Sequence, residues 1–341
     1  VESVKKFFVR FSLEIYRKDD LIEPIFRHDL NLAAKDVLVQ LPVGALGDTI
    51  AWFSFVERFQ KRHNCKLFCS MASNLAELFR AQYPDIRFIA KEDAAKLSPY
   101  ATYNLGLFFG GNTNNQPFDF RQAGLHKTAG LILGVDDLSD SPPRVDLSAE
   151  RKILEKYVVI ASQASSQCKY WNNPFGWREV VAALKQRGYR VLCIDRMTEY
   201  GVDFTWNHIP YGAEDFTGDL PLQERIDLIK DADMFIGLSS GLSWLAWCCH
   251  VPVILISGFT DPVNEFFTPY RIQNISACHG CWNDTRCDFN HFDFLWCPRK
   301  KETRDKFECT KMITSKMVIS AVDRIMERSL NGNNHSESAG Q

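Results

Sequence analysis

Short apolar runs alternate with amphipathic segments twice along these 341 residues, and this repetition constrains the fold more than any other feature. In the first half the apolar runs are 37–41, 66–71, 87–90 and 104–109, and the helix-like segments are 50–62 and 75–83. In the second half the runs are 157–161, 190–194, 234–238 and 251–256, and the helix-like segments are 177–185, 222–230 and 242–249. Strands that alternate with helices predict βαβ units around a parallel sheet. The chain is therefore predicted to be an α/β protein with two Rossmann-like lobes and a ligand cleft between them.

A stretch rich in Pro and Asp, residues 136–143, predicts a linker between the lobes. Apolar residues also alternate over 9–15 before a charged turn, which predicts a β-hairpin ahead of the first lobe. The last residues are polar and are predicted to be disordered. We therefore expect a β-hairpin extension over 1–35, an N-terminal Rossmann-like lobe over 36–150, a C-terminal Rossmann-like lobe over 151–330 and a disordered tail over 331–341.

The balance of charged and apolar residues excludes several classes of protein. The 40 Lys and Arg residues stand against 42 Asp and Glu, so the chain lacks the basic excess typical of nucleic-acid binding. No run reaches the roughly 18 to 20 uninterrupted apolar residues that a membrane span needs. The first residues also lack the apolar core of a signal peptide. We expect a cytoplasmic protein with no nucleic-acid partner and no membrane span.

Ligands of open parallel sheets bind at the carboxyl ends of the strands, so residues that follow an apolar run are candidates for chemistry. The run 37–41 leads into a loop with two glycines, and Asp48 stands where the next helix is predicted to begin. A carboxylate there could act as a general base towards an acceptor hydroxyl. The structural alternative is that Asp48 or Thr49 only caps the helix, a role that both residue types perform well.

Two loops of the second lobe are candidates for binding a diphosphate. The run 157–161 leads into a loop rich in hydroxyl groups that contains Lys169, whose charge could stabilise a departing nucleotide. The run 234–238 leads into the turn Ser239-Ser240-Gly241 and then a helix, whose first N–H groups favour phosphate. Taken alone, these loops could also be a solvated loop and a tightly packed strand-to-helix turn.

Asp231 and Asp233 resemble a carboxylate pair for a divalent metal, but they precede a predicted strand. That position lies at the amino edge of the sheet, away from the ligand side. We interpret the pair as part of a helix-to-strand connection, and no catalytic divalent ion is expected.

Eleven cysteines, an odd count, argue against a fully paired disulfide framework. Four of them have the spacing C-x2-C-x15-C-x11-C within the polar segment 276–310, and these are Cys278, Cys281, Cys297 and Cys309. Four thiolates suit zinc or iron, and metal binding would supply folding energy that such a segment lacks. Cys287, His279 and His291 are interpreted as non-ligands. The sequence therefore predicts a four-cysteine metal site and leaves zinc and iron open.

Several motifs resemble known proteins. Gly47-Asp48, the segment 216–222 and the turn 239–243 resemble the lipopolysaccharide heptosyltransferases of the GT-B fold. The runs 256–260, 264–266, 268–271, 281–284, 294–299 and 307–310 are similar to a narrower family, the bacterial autotransporter heptosyltransferases. This similarity extends over nearly the whole chain.

The resemblance implies an inverting enzyme that transfers heptose from ADP-heptose to serine hydroxyls on autotransporter adhesin repeats. It implies that Asp48 is the catalytic base and that Lys169 binds the donor phosphates. The other donor contacts that it implies are Gly47, Thr49, Thr217, Gly218, Ser239, Ser240, Gly241 and Leu242. It also implies one iron(III) per chain on Cys278, Cys281, Cys297 and Cys309, and a homo-oligomer, namely a dodecamer.

Two alternatives remain open at the level of sequence. One is a lipopolysaccharide heptosyltransferase, although many of those enzymes have Asp-Thr-Gly-Leu-Ser-His where this chain has 239–244, Ser-Ser-Gly-Leu-Ser-Trp. The other is a non-catalytic scaffold that is stabilised by metal and uses a degenerate nucleotide lobe for assembly. The presence of both Asp48 and Lys169 favours an enzyme over the scaffold.

Overall fold

The computed structural model describes residues 3–110 and 113–338. The chain divides into two compact units, Val1–Pro143 and Arg144–Gln341, and each is built on a parallel sheet. None of the helices within the described ranges is long and apolar enough to cross a membrane.

The first unit begins with the antiparallel hairpin of β1 (Ser12–Ile15) and β2 (Phe26–Asp29), in which Ser12 lies opposite Asp29. A parallel sheet of order β5-β4-β3-β6 follows, made of β3 (Asp36–Gln40), β4 (Lys66–Ser70), β5 (Ile86–Ile89) and β6 (Ala101–Asn104). The helices are α1 (Leu46–His63), α2 (Ser73–Arg80), α3 (Lys91–Ala94), α4 (Phe120–Ala123) and α5 (Leu125–Leu133).

The apolar face of α1 holds the first unit together. It buries Ile50, Phe53 and Phe59 completely, and Phe53 stacks on Phe79 of α2 with ring centres 4.1 Å apart. The Trp52 indole N–H donates to the carbonyl of Leu125 at the start of α5, at 2.9 Å. Because α1 directly follows β3, this packing fixes the direction in which the chain leaves the sheet.

The second unit contains a six-stranded parallel sheet of order β11-β8-β7-β12-β13-β14 and a separate antiparallel hairpin of β9 and β10. The strands are β7 (Tyr157–Ile160), β8 (Arg190–Cys193), β9 (Glu199–Val202), β10 (Thr205–His208), β11 (Glu214–Asp215), β12 (Met234–Leu238), β13 (Val253–Ile256) and β14 (Arg271–Ile272). The α-helices are α6 (Gly176–Gln186), α7 (Leu222–Ile229), α8 (Gly241–Cys248), α9 (Glu308–Lys311) and α10 (Ser315–Ser338), and short 3-10 helices span Gln167–Lys169 and Pro262–Asn264.

The strand order of each sheet predicts where a ligand can bind. In the first sheet the chain runs from β3 outwards to β4 and β5, then returns to place β6 on the other side of β3. In the second it runs from β7 to β8 and then places β12 on the other side of β7. Such a reversal opens a crevice at the carboxyl ends of the two strands that flank it. The crevices therefore lie at the ends of β3 and β7, where the sequence places the loops of Asp48 and Lys169.

The disordered tail predicted over 331–341 is wrong for residues 331–338, which continue α10. The helix is anchored further upstream, where Val318, Ala321, Val322 and Ile325 are buried in the core of the second unit. Once a helix is nucleated by packing, each added residue gains a hydrogen bond at little extra cost, so a polar sequence can extend it. Residues 339–341 lie outside the described residues.

One further prediction needs correction, and one hairpin was not predicted. The strand predicted over 104–109 lies earlier, at β6, because Ala101 pairs with Val37 and the buried Tyr103 pairs with Val39. The hairpin of β9 and β10 was not predicted, since its residues are only partly buried and carry no clean apolar alternation.

Candidate functional site

Asp48 lies in the first turn of α1, directly after the loop that follows β3, and its side chain is half-buried. The residue that caps the helix is Ala45, which supplies no side-chain hydrogen bond, so neither Asp48 nor Thr49 is the cap. A carboxylate in this turn is stabilised by the partial positive charge of the helix N-terminus. Thr49 is fully buried, and its hydroxyl has no hydrogen-bond partner among the residues that the structure describes.

A cleft of about 300 Å³ lies at the carboxyl edge of the first sheet. It is lined by Gln40, Leu41, Pro42, Gly44, Ser70, Met71, Ala72, Ser73, Ala90, Lys91 and Glu92. These residues follow β3, β4 and β5, so the cleft occupies the position expected for a ligand of a parallel sheet. Its wall at Pro42 and Gly44 is the same loop that leads to Gly47 and Asp48.

Lys169 ends the short 3-10 helix Gln167–Lys169 in the loop after β7. Its side chain is half-buried, and its ammonium lies 5.6 Å from the ring centre of Phe259, within the range of a cation–π contact. The aromatic face orients the charge without neutralising it. The ammonium therefore remains able to bind an anion.

Asp195, which follows β8, fixes the start of the Lys169 loop. Its carboxylate accepts hydrogen bonds from the backbone N–H of Ser162 at 2.8 Å and of Gln163 at 3.1 Å. Burial raises the pKa of the Asp195 carboxyl, and the hydrogen bonds from Ser162 lower it. Sequence analysis missed this residue, although it follows an apolar run in the same way as the candidates that were chosen.

The turn from β12 into α8 places Ser240 as the cap residue and Gly241 as the first helical residue. The Ser240 hydroxyl is buried and has no hydrogen-bond partner within residues 3–110 and 113–338. The first N–H groups of a helix point outwards without partners in the helix and carry partial positive charge. A hydroxyl and these N–H groups together could bind a phosphate oxygen.

A buried carboxylate, Glu265, holds the turn between β12 and α8 in place through hydrogen bonds. It is 2% exposed and accepts hydrogen bonds from the hydroxyls of Ser239 and, at 2.8 Å, Thr260. Its other oxygen forms an ion pair with Arg271 at 2.7 Å. Sequence analysis did not identify Glu265, because its partner Ser239 lies 26 residues away.

Replacing Glu265 with Ala is expected to destabilise the protein by about 3–5 kcal/mol, because Arg271 would keep a buried charge without a partner. Denaturant unfolding measures this effect. The matched control is Glu214→Ala, which breaks an ion pair of the same 2.7 Å length with Arg190 but with side chains 32% and 39% exposed. That control is expected to cost about 0–1 kcal/mol. Equal effects of the two changes would contradict a structural role for the Glu265 network.

Thr217 and Gly218 lie in the turn after β11. The Thr217 N–H and hydroxyl both donate to Asp215, at 2.9 and 2.6 Å. The Gly218 carbonyl accepts from the buried guanidinium of Arg225, which also donates to the carbonyls of Ile194 and Asp195. Arg225 therefore ties this turn to the end of β8.

The predicted donor contacts of the second unit follow three strands, β11, β7 and β12, and Asp195, which was not predicted, follows β8. The loops come after β11, β8, β7 and β12, which are adjacent in that order, and parallel strands end at the same edge. Asp231 and Asp233 lie at the opposite edge, as expected, since Asp233 donates its N–H to the carbonyl of Tyr157 at the start of β7. Asp231 forms an ion pair with Lys230 at 2.7 Å. The structure thus separates the two carboxylates from the candidate donor site.

The cysteine segment, residues 276–310, consists of turns followed by the start of α9. Cys281 and Cys309 are buried, and Cys281 joins Phe259, Trp296 and Phe307 in a hydrophobic cluster against which Cys297 packs. Cys278 is half-buried. The segment approaches the sheet closely at Gly258, where an added Cβ would lie 2.7 Å from the backbone of Cys309.

The four predicted ligands influence one another electrostatically. Burial raises the pKa of the Cys309 thiol to about 12, and Cys297 and Cys278 add to the effect. Burial also raises the pKa of Cys281, with contributions from Cys309 and Cys297. Across residues 3–110 and 113–338, however, no three His, Cys, Asp or Glu side chains form an arrangement that could hold a metal ion as it stands. Four thiols in one segment suit a thiolate-binding metal by their chemistry, and the metal site stays a prediction.

The residues interpreted as non-ligands have other contacts. The Nδ1 atom of His279 lies 2.8 Å from the carbonyl of Ala277. Cys287 is half-buried and interacts with Asp284 and Arg299. Asp284 and Arg299 form an ion pair at 2.6 Å and line an open cleft of about 420 Å³ beside Cys278.

Comparison with known proteins decides the family. The family model for glycosyltransferase family 9 (heptosyltransferase) matches residues 124–288. The autotransporter heptosyltransferase BAHTCr of Citrobacter rodentium is 54% identical over 95% of this chain and 79% of its own length. This chain belongs to the autotransporter heptosyltransferases.

A crystal structure from the same family supports the assignment of the fold. The iron-containing dodecameric glycosyltransferase TibC from enterotoxigenic E. coli matches 97% of this chain and 86% of its own, at 53% identity and a TM-score of 0.92. TibC has also been solved in complex with ADP-D-beta-D-heptose. The chain therefore has the α/β, GT-B-like glycosyltransferase fold of this family.

The family also contains a protein that is named inactive. The inactive autotransporter heptosyltransferase BimC of Burkholderia thailandensis is 39% identical over 93% of this chain and 74% of its own length. Membership of the autotransporter heptosyltransferases is thus compatible with loss of turnover.

Proposed function

We propose that this chain transfers heptose from ADP-heptose to serine hydroxyls on the repeats of an autotransporter adhesin. The observation that carries the proposal is the match to TibC over nearly the whole chain, together with the solved complex of TibC with ADP-heptose. The adhesin acceptor agrees with the shared name of the relatives. We place the reaction in the cytoplasm.

Asp48 is the general base in this proposal. Its carboxylate takes the proton of an acceptor serine while the serine oxygen attacks the anomeric carbon, and the bond from that carbon to ADP breaks. A single displacement of this kind inverts the anomeric configuration. The position of Asp48 in the first turn of α1, beyond a cleft at the carboxyl edge of its sheet, supports the role.

The departing ADP is stabilised by the second unit. Lys169 supplies a positive charge, and Ser240, Gly241 and Leu242 supply a hydroxyl and N–H groups at the start of α8. Thr217 and Gly218 bind the donor from the neighbouring turn. These groups replace a divalent ion, in agreement with the position of Asp231 and Asp233 at the other edge of the sheet.

The four thiolates of Cys278, Cys281, Cys297 and Cys309 would hold one iron(III) per chain, with zinc as the alternative. TibC contains iron, and thiolates suit both metals. When bound, the metal supplies folding energy to the cysteine segment, and transfer does not pass through it. We also propose a dodecamer, the assembly described for TibC.

Intact-mass analysis tests the proposed function. An adhesin passenger domain is co-expressed with this chain in cells that make ADP-heptose, and in parallel with Lys169→Met. Mass increments of one heptose unit with the parent, and a strongly reduced number with Lys169→Met, are expected. If folded parent protein adds no heptose to the adhesin, a lipid acceptor is tested next, and transfer to lipid would identify a lipopolysaccharide heptosyltransferase instead.

The inactive relative BimC favours a second candidate, a metal-stabilised scaffold without turnover. A scaffold would assemble and hold metal without binding ADP or transferring heptose. Calorimetry with ADP distinguishes the two, since an active donor site binds ADP and a degenerate one does not.

A further inference from the structure

The loop that carries Lys169 is attached to the cysteine segment along much of its length. The Gln167 N–H and the Ser166 hydroxyl both donate to the carbonyl of Phe294, at 2.8 and 3.0 Å. The Asn172 side chain donates to the Thr310 hydroxyl at 2.8 Å. The bonds from Ser166 and Asn172 join residues that are 128 and 138 positions apart in sequence.

Cys168 lies at the centre of this attachment. It is 2% exposed and packs with Cys281, Phe259, Trp296 and Phe307 in one hydrophobic cluster. Cys297 packs against the same cluster. A fifth thiol, supplied by a different loop, therefore lies among the thiols predicted to bind the metal.

Lys169 follows Cys168 directly and contacts the same cluster, because its ammonium lies over the ring of Phe259. The position of the ammonium thus depends on how Cys168 and Phe259 pack. That packing in turn depends on the cysteine segment, which consists of turns up to the start of α9. A metal that orders the cysteine segment would therefore also order the loop that carries Lys169.

We propose that Cys168 is a positioning residue that couples the cysteine metal site to donor binding, so that metal in the cysteine segment tightens the binding of the ADP diphosphate at Lys169. The coupling rests on the proposed function of Lys169. Because coupling free energies are reciprocal, bound ADP also tightens metal binding. Couplings of this kind change affinity by about 5–150-fold.

The test compares the parent, Cys168→Ala and Cys249→Ala, each as purified and after removal of metal with a chelator. Cys249 is the matched control, a thiol buried to a similar degree at the end of α8. Elemental analysis gives metal per chain, and calorimetry gives the Kd for ADP. For the parent and Cys249→Ala, removal of metal is expected to weaken ADP binding by about 5–150-fold.

Cys168→Ala is expected to keep its metal, to bind ADP more weakly than the parent, and to lose most of the dependence on metal. With ADP-heptose its KM is expected to rise more than its kcat falls, which a general loss of stability would not produce. Unchanged ADP affinity with full dependence on metal would overturn the proposal. Loss of metal from Cys168→Ala would also overturn it, because Cys168 would then be a ligand.

Asn172→Ala provides a second variant if Cys168→Ala does not fold. It removes the bond to Thr310 without altering any thiol, and the same weakening and loss of metal dependence are expected. If the parent binds ADP with the same Kd before and after removal of metal, the coupling is overturned and the proposed function is not. A parent that binds no ADP overturns the proposed function, and the coupling with it.

Discussion

Replacing Asp48 with Asn is expected to lower the rate of heptose transfer by about 10²–10⁴-fold, the range that general base catalysis contributes. The amide keeps the shape of the side chain but cannot accept the serine proton. Because Ala45 caps α1, the helix keeps its cap and the protein should remain folded. Single-turnover kinetics with saturating ADP-heptose measures the rate of the chemical step.

Asp93→Asn is the matched control for this change. Asp93 is also a carboxylate in the first turn of a helix of the same unit, namely α3. Removal of its charge should leave transfer unchanged, and the two variants should have similar melting temperatures. Turnover by Asp48→Asn near that of the parent would remove Asp48 from the mechanism, and equal losses in both variants would indicate a general effect of helix charge.

Cys281→Ser and Cys278→Ser are expected to lose most of the bound metal and to melt at a markedly lower temperature than the parent. Structural zinc supplies about 10–16 kcal/mol to the folding of small metal-binding peptides. Cys281 is buried in the cluster with Trp296 and Phe307, so loss of metal there also loosens apolar packing. Elemental analysis and thermal unfolding measure the two effects separately.

Cys287→Ser is the control, since Cys287 is predicted to be a spare thiol of the same segment. It should keep the metal and the melting temperature of the parent. Full metal content in Cys278→Ser would instead make Cys287, His279 or His291 the fourth ligand. The structure explains how Cys287 could replace Cys278, because both thiols interact with the Arg299 guanidinium.

The sequence predicted most strands of the two sheets because secondary structure depends on local pattern, but it missed the two-residue strands β11 and β14 and misplaced β6. The strand Met234–Leu238 has its predicted bounds, and α6 and α7 lie within one residue of theirs at each end. Short apolar runs between turn residues specify buried strands wherever the run is completely enclosed. The predictions failed where local composition was ambiguous, as in the polar end of α10 and the half-exposed hairpin of β9 and β10.

The candidate site was predictable only in part, for a physical reason. The loops could be chosen because each follows a strand, and the rule for parallel sheets places strand ends together. The side chains that hold those loops could not be chosen, because Asp195 and Glu265 bond to residues 33 and 26 positions away. Such pairs depend on the order of the strands, and the sequence permits more than one order.

The two edge strands of the six-stranded sheet, β11 and β14, are each only two residues long. One edge, β11, consists of Glu214 and Asp215, and the other begins with Arg271, which is ion-paired to a buried carboxylate. Short and charged edges give a second chain few backbone groups to pair with. Newly made copies of the protein at high local concentration are thus protected from joining sheet to sheet, and aggregation by that route should be rare.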